Sequence, residues 1–203
     1  PLGPLFARTP FEDYPAALEA FALRGEGKVC ADNGASTGGF ADCLLQHGAQ
    51  KVYAVDVGKG ILHGRLRQDA RVVAVERTNV RTMQAPPEPL DLITIDVAFI
   101  SLRLVLPVVA GWLRPAGDVI ALVKPQFEAG RHAVKKGGVV RDPAVHRQVL
   151  EDVLVSAADA GLAPQGVRRS PLRGPKGNIE FLLWARRGAA DADCLDERSG
   201  AVG

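Results

Sequence analysis

The sequence predicts an α/β protein with a doubly wound sheet, and three observations predict it. Short apolar runs rich in β-branched residues alternate with helical patterns along most of the chain. The first run ends in an acidic residue and a glycine-rich turn, Asp32-Asn-Gly-Ala-Ser-Thr-Gly-Gly-Phe40, that opens a helix. Four run ends carry charge, at Asp32, Asp56, Asp96 and Lys124, and in such sheets the strand ends line the ligand cleft. At 203 residues, 47% hydrophobic and 24% charged, the chain is long enough for one domain with a substantial core.

Lys28 to Asp32 is the first predicted strand. Phe40 to His47 is a helix stopped at Gly48, a natural left-handed position. Lys51 to Asp56, Arg71 to Glu76 and Asp91 to Asp96 are the next strands, apolar blocks bounded by charge. Leu102 to Leu113 reads as a helix buried on several sides and kinked at Pro107. Asp118 to Lys124 is the fifth strand. Asp142-Pro143 opens the clearest helix, because Asp is a good cap and proline in the first position forfeits no needed N–H. That helix runs to about Ala160 and stops at Gly161, and strands near Gln165 to Arg169 and from Ile179 to Ala185 follow. Near-continuous apolar strands fit a parallel sheet covered on both faces. Residues 1–27 read as an N-terminal extension and helix, and 188–203 as a flexible tail without periodicity.

Several classes are disfavoured. A net charge of +2 does not by itself argue for a polyanionic partner. Cys30, Cys43 and Cys194 show neither pairing nor metal-ligand spacing, which suits reduced thiols in the cytoplasm and no metal. His47, His63 and His146 also lack ligand spacing and read as surface or packing residues. No apolar run approaches the roughly 18 residues of a membrane span, and no signal peptide is visible. The chain begins at Pro1 rather than methionine, which leaves room for residues upstream.

The turn residues Asp32, Gly34, Ala35, Ser36, Thr37, Gly38, Gly39 and Phe40 are the candidate cofactor cradle, because glycines let backbone approach a ligand. Asp56 lies about 20 residues beyond, the spacing of a ribose-binding carboxylate. That spacing serves nicotinamide dehydrogenases and adenosylmethionine-dependent methyltransferases alike. The glycine pattern departs from Gly-x-Gly-x-x-Gly, which disfavours a pyrophosphate cofactor. Thr78, Asn79 and Val80 could meet an adenine edge, or Asn79 could simply form a turn. Lys124 ends an apolar strand, where a charge is costly unless paired or used. Asp96 ends a neighbouring strand and is its candidate partner, in a working pair or a structural one.

Seven segments then converge on one family. They are Asp32-Asn-Gly-Ala-Ser-Thr-Gly-Gly-Phe-Ala-Asp-Cys-Leu-Leu, Tyr53-Ala-Val-Asp-Val-Gly, Glu76-Arg-Thr-Asn-Val-Arg, Ile95-Asp-Val-Ala-Phe-Ile-Ser-Leu-Arg, Leu122-Val-Lys-Pro-Gln-Phe-Glu, Lys136-Gly-Gly-Val-Val-Arg-Asp-Pro and Gly177-Asn-Ile-Glu-Phe-Leu-Leu-Trp. From Lys28 to Trp184 the chain resembles the TlyA (hemolysin A-type) group of FtsJ-like rRNA 2′-O-methyltransferases. The resemblance implies a Rossmann-like, seven-stranded methyltransferase sheet with its last strand antiparallel, as one domain over 28–187. It implies S-adenosylmethionine as cofactor and ribosomal RNA or ribosomal subunits as partner. It also implies catalytic roles for Asp96, Lys124 and Glu180, which match three members of a Lys-Asp-Lys-Glu set. The first lysine of that set belongs before the first strand, where this chain reads Ala7-Arg-Thr-Pro-Phe-Glu-Asp13. The group usually carries an S4-type RNA-binding domain upstream as well.

On this reading oxygen, methyl carbon and sulfur must lie in line. Lys124 is then either the base that takes the 2′-hydroxyl proton or a donor that orients the oxygen. Asp96 would hold Lys124, and Glu180 would accept a hydrogen bond from lysine or ribose. Arg131, Lys135, Lys136 and Arg141, with Arg168, Arg169, Arg173 and Lys176, are the candidate RNA-phosphate contacts. Aromatics make up only 5% of the chain, so RNA recognition is expected to rest on charge and shape. The competing readings are a catalytically impaired relative that binds cofactor or RNA, a membrane-active hemolysin, and a nicotinamide dehydrogenase. Methyl transfer to rRNA, liposome leakage and NAD binding separate them.

Overall fold

The computed structural model describes residue 21 and residues 23–130, 134 and 138–188. All but the first residue of the expected tail over 188–203, and most of the expected extension over 1–27, therefore lie outside the described residues. The strands are β1 (Val29–Asn33), β2 (Lys51–Val55), β3 (Val72–Val75), β4 (Leu90–Ile95), β5 (Leu113–Val123), β6 (Leu162–Arg173) and β7 (Ile179–Arg187). The helices are α1 (Gly39–Gln46), α2 (Gly64–Gln68), α3 (Leu106–Ala110), α4 (Pro125–Glu128) and α5 (Pro143–Asp159).

All seven strands join one sheet in the order β3-β2-β1-β4-β5-β7-β6. The first five pair in parallel, whereas β7 runs antiparallel to both β5 and β6. The reversed last strand thus begins at the edge where β5 ends. The side-chain period of two sorts each strand between opposite faces. On β5, Val119, Ala121 and Val123 enter one apolar cluster with α3 and α5, while Ile120 and Leu122 enter the other with α1 and α2. Phe21 and Leu23 also pack into the second cluster, and Phe21 lies 5.6 Å from the Trp184 ring. Cover on both faces fails at the edge strand β3, where Val73 is 38% exposed.

Local rules set the helix ends. The Asp142 carboxylate accepts the Ala144 N–H at 2.8 Å, with Pro143 first in α5, and Gly161 beyond its end is left-handed. Gly48 is left-handed beyond α1. The single helix expected over Leu102 to Leu113 is not formed. A 3-10 turn, Leu102–Leu104, leads into the short α3, and Trp112 and Leu113 turn directly into β5. Pro107 stands within the first two positions of α3, so it starts a helix instead of kinking one. Among the described residues no helix is long and apolar enough to cross a membrane, and no cluster of three or more His, Cys, Asp or Glu could hold a metal.

Candidate functional site

The site forms at the edge where β1, β2, β4 and β5 end and β7 begins. The strand order reverses between β1 and β4, the crevice that receives ligands in open α/β sheets. Gly34 lets the two strand ends meet there. Its φ is +83°, and a Cβ on it would collide with the Asp96 carbonyl.

Asp32 stands below this crevice and is 1% exposed. Its oxygens accept the Ala41 N–H at 2.9 Å and the Thr94 hydroxyl at 3.0 Å. Burial pushes its carboxyl up to about 7, against the opposing pull of the Thr94 hydrogen bond. The first turn of α1 therefore gives one of its N–H groups to Asp32. Gly38 is equally committed to packing, since a Cβ there would strike Leu66.

A cleft of about 650 Å³ opens above. Of the expected cofactor residues, Gly34, Ser36, Asp56, Thr78, Asn79, Val80 and Asp96 line it. Asp32, Ala35, Thr37, Gly38, Gly39 and Phe40 are not among its walls. Asp56 accepts the Ser36 N–H at 2.8 Å and the Gly58 N–H at 2.7 Å, which fixes its carboxylate at the rim. Asn79 forms the turn that was one of its two expected roles. It accepts the Arg81 N–H in a turn at 3.0 Å, and it lines the cleft. Val57, Ile100 and Leu104 supply an apolar side.

Asp96 and Lys124 meet as expected, with Nζ 2.5 Å from Oδ1 and side chains 17% and 15% exposed. Lys124 is extended because Pro125 follows it, and Pro125 immediately begins α4. Val123 pairs with Phe181 across β5 and β7, which brings the next residues, Lys124 and Glu180, to the same end of that strand pair. Glu180 is buried, at 4% exposed. Its Oε1 accepts from Gln126 Nε2 at 2.9 Å. Gly174 leaves the space, because a Cβ there would collide with the Glu180 carboxylate.

Phe99, Gln126, Phe127, Glu128 and Asn178 were missed from sequence. Phe99 is 90% exposed and left-handed at φ +63°, an unfavourable backbone for a bulky residue. Its ring lies 4.9 Å from that of Phe127. Phe99 lines both the cleft and a second pocket of about 450 Å³ shared with Gln126 and Phe127. Glu128 is buried and accepts from the Ser101 hydroxyl at 2.6 Å and the Leu102 N–H at 2.7 Å, which ties the Phe99 loop to α4. Burial raises its carboxyl above the usual range. Asn178 spans two loops, donating to the Gly138 carbonyl and accepting the Val140 N–H, both at 3.0 Å. One signal was available in the sequence, since Phe99 lies within the same short motif as Asp96.

The basic residues divide. Arg131, Lys135 and Lys136 lie outside the described residues. Arg141, Arg168, Arg169, Arg173 and Lys176 are exposed. The Asn178 clamp brings the Arg141 loop to the Lys176 turn beside Glu180. His146 is buried against Phe181, a packing residue as read.

The family profile described as FtsJ-like methyltransferase matches residues 15–187. The chain is 48% identical over 172 residues to "16S/23S rRNA (cytidine-2′-O)-methyltransferase TlyA" of Mycobacterium tuberculosis (strain ATCC 25618 / H37Rv), covering 84% of this chain and 64% of the relative. It superimposes on the solved "Putative hemolysin from Streptococcus thermophilus" with a TM-score of 0.87 at 43% identity, covering 92% of this chain and 68% of that one. An S-adenosylmethionine-dependent methyltransferase from Mesorhizobium loti shares the fold at 18% identity, with a TM-score of 0.65 over 86% of this chain and 97% of that one. The chain spans about two thirds of the length of the curated relatives it matches.

Proposed function

The chain belongs to the FtsJ-like methyltransferase family, and on that premise we propose that it moves a methyl group from S-adenosylmethionine to a ribose 2′-hydroxyl of ribosomal RNA. The observation that carries this reading is the Asp96–Lys124 pair. Asp96 lines the larger cleft, and Gln126, two residues beyond Lys124, lines the second pocket. Lys124 is thus paired to a wall residue of the larger cleft and lies two residues before a wall residue of the second pocket.

The residues fit the cofactor. Asp56 at the end of β2 suits ribose hydroxyls, and Val57, Val80, Ile100 and Leu104 suit an adenine face. The first turn of α1 spends the Ala41 N–H on Asp32, where a phosphate-binding helix start would keep it for ligand, so a cofactor without pyrophosphate fits better than NAD. When bound, S-adenosylmethionine supplies an electrophilic methyl group on a positively charged sulfur.

The protein's part is positioning and charge. Lys124 has three N–H donors, and Asp96 takes one. The remaining donors would hold the 2′-oxygen in line and stabilise the negative charge left on it as the hydroxyl proton passes to water, a charge that the new O–C bond cancels as the methyl–sulfur bond breaks. Glu180, at the same end of the β5–β7 pair as Lys124, keeps that amine aimed at the cleft. Phe99 offers an exposed ring on which the target base can stack once out of its helix. Arg141 and Lys176 at the rim meet phosphates. Such a substrate puts the work in the cytoplasm, where the free thiols Cys30 and Cys43 also belong.

The test is methyl incorporation from labelled S-adenosylmethionine into unmethylated ribosomal RNA, followed by alkaline hydrolysis. Label in hydrolysis-resistant dinucleotides is the expected result, and label on a base or none at all overturns the reading. Calorimetry should also show S-adenosylhomocysteine binding and no comparable uptake of NAD.

A further inference from the structure

We propose that Glu128 is a positioning residue for RNA capture: it holds the loop after β4 so that the Phe99 ring stays bare for the target base. This rests on the base-stacking role that the RNA-methylation reading above gives to Phe99. The backbone of Phe99 is left-handed at φ +63°, a conformation that a bulky side chain disfavours, and its ring is 90% exposed. An exposed ring gains little from burial, and its contact with Phe127 lies at the surface, 4.9 Å between centroids. Backbone strain of this kind persists only where the surrounding structure over-determines it. Something firmer than the ring pair must therefore hold the loop.

Two pins hold it. At the near end the Asp96 N–H donates to the Asn33 carbonyl at 2.9 Å, which fixes the loop to the end of β1. At the far end the Glu128 carboxylate accepts the Ser101 hydroxyl on Oε2 and the Leu102 N–H on Oε1, so each oxygen holds one of two successive residues. Arg103 closes the knot. Its guanidinium donates to the Ser101 hydroxyl oxygen at 3.2 Å and to the Glu128 carbonyl at 3.4 Å. Only residues 97–100 lie between the pins, and Val97 and Ile100 pack against the core, which leaves Ala98 and Phe99 facing out. Glu128 itself is buried, where a carboxylate is costly and an apolar side chain would pack freely. What the carboxylate adds is direction. Its two acceptors fix the loop against α4, one residue from Phe127, and so set where the Phe99 ring stands.

The test is steady-state methyl incorporation into unmethylated ribosomal RNA. Glu128→Met keeps the length of the side chain and removes both acceptors, and Glu128→Leu serves if the methionine variant does not fold. KM for RNA should rise about fivefold or more, as for a weakened base stack, with kcat within about threefold of the wild type. A merely structural loss would shrink the folded fraction and lower kcat, leaving KM in place. Glu128→Gln keeps an acceptor for the Leu102 N–H and should return KM to within about threefold of the wild type. In a chain that already carries Phe99→Ala, Glu128→Met should change KM by less than about twofold, because the ring it positions is gone. A methionine variant with the wild-type KM, a glutamine variant no better than methionine, or an undiminished methionine effect in the Phe99→Ala chain overturns the proposal. No transfer by the wild type would instead sink the methyltransferase reading, and this proposal with it.

Discussion

Strand β5 meets a carboxylate–cation contact at each edge of the sheet, and the two are built differently. At the lower edge Asp118 is buried, and its Oδ1 accepts from Trp184 Nε1 at 2.8 Å and Arg186 Nε at 2.9 Å, with Lys28 Nζ 3.8 Å from Oδ2. Each of its oxygens is answered by protein, from β7 and from the chain just ahead of β1. At the upper edge Asp96 of the Asp96–Lys124 pair lines an open cleft beside an exposed, left-handed phenylalanine. The lesson is that charge at a strand end does not mark a site. Access and remaining hydrogen-bonding capacity do.

Four substitutions probe that contrast. Lys124→Ala should lower methyl transfer at least about 100-fold while leaving the urea midpoint and S-adenosylhomocysteine affinity nearly unchanged. Transfer near the wild-type rate would make the upper pair structural, like the lower one. Asp118→Ala should do the opposite. It strips the acceptor from a partly buried indole N–H and an arginine, costing about 2–3 kcal/mol in urea unfolding, with transfer per folded molecule unchanged.

Asp32 sharpens the comparison from beneath the site. Its carboxyl sits near 7 in the folded chain, against about 3.9 when unfolded. Between those values the folded state binds a proton that the unfolded state has released. The stability from this group is therefore full below pH 4 and is lost as pH rises towards 7. Asp32→Asn keeps the shape of the protonated acid, with its carbonyl accepting from Ala41 and its amide facing Thr94. The variant's melting temperature should gain on the wild type from pH 4.5 to pH 7.5, and a constant difference across that range would count against the buried acid. The smallest effect is expected at Phe99. Phe99→Gly relieves a left-handed backbone worth roughly 1–2 kcal/mol but loses the Phe127 contact. Stability should thus change by less than about 1 kcal/mol, while KM for RNA rises several-fold. A large loss of stability would show that the ring supports the fold more than it serves substrate.

The walls of the cleft and the groups buried around it differed in how far sequence could reach. Asp56, Asn79, Asp96 and Lys124 were found because each follows an apolar strand, and strand ends in this fold share one edge. Asp32 follows a strand too, yet its side chain turns inward to Thr94 and Ala41, a direction that spacing cannot reveal. Gln126 and Glu180 lie 54 residues apart and meet only through the β5–β7 pairing. Glu128 looks like an ordinary helix residue until Ser101 and Leu102 are placed above it.

By itself, then, the order of residues determined the strands, the α5 cap and the edge where charge gathers. Those depend on periodicity, turn stereochemistry and proline, which act over a few neighbouring residues. Tertiary structure alone decided which carboxylates are walled in and which ring is left bare. Those depend on what another strand or loop brings within hydrogen-bonding distance, and burial is a property of the assembled sheet.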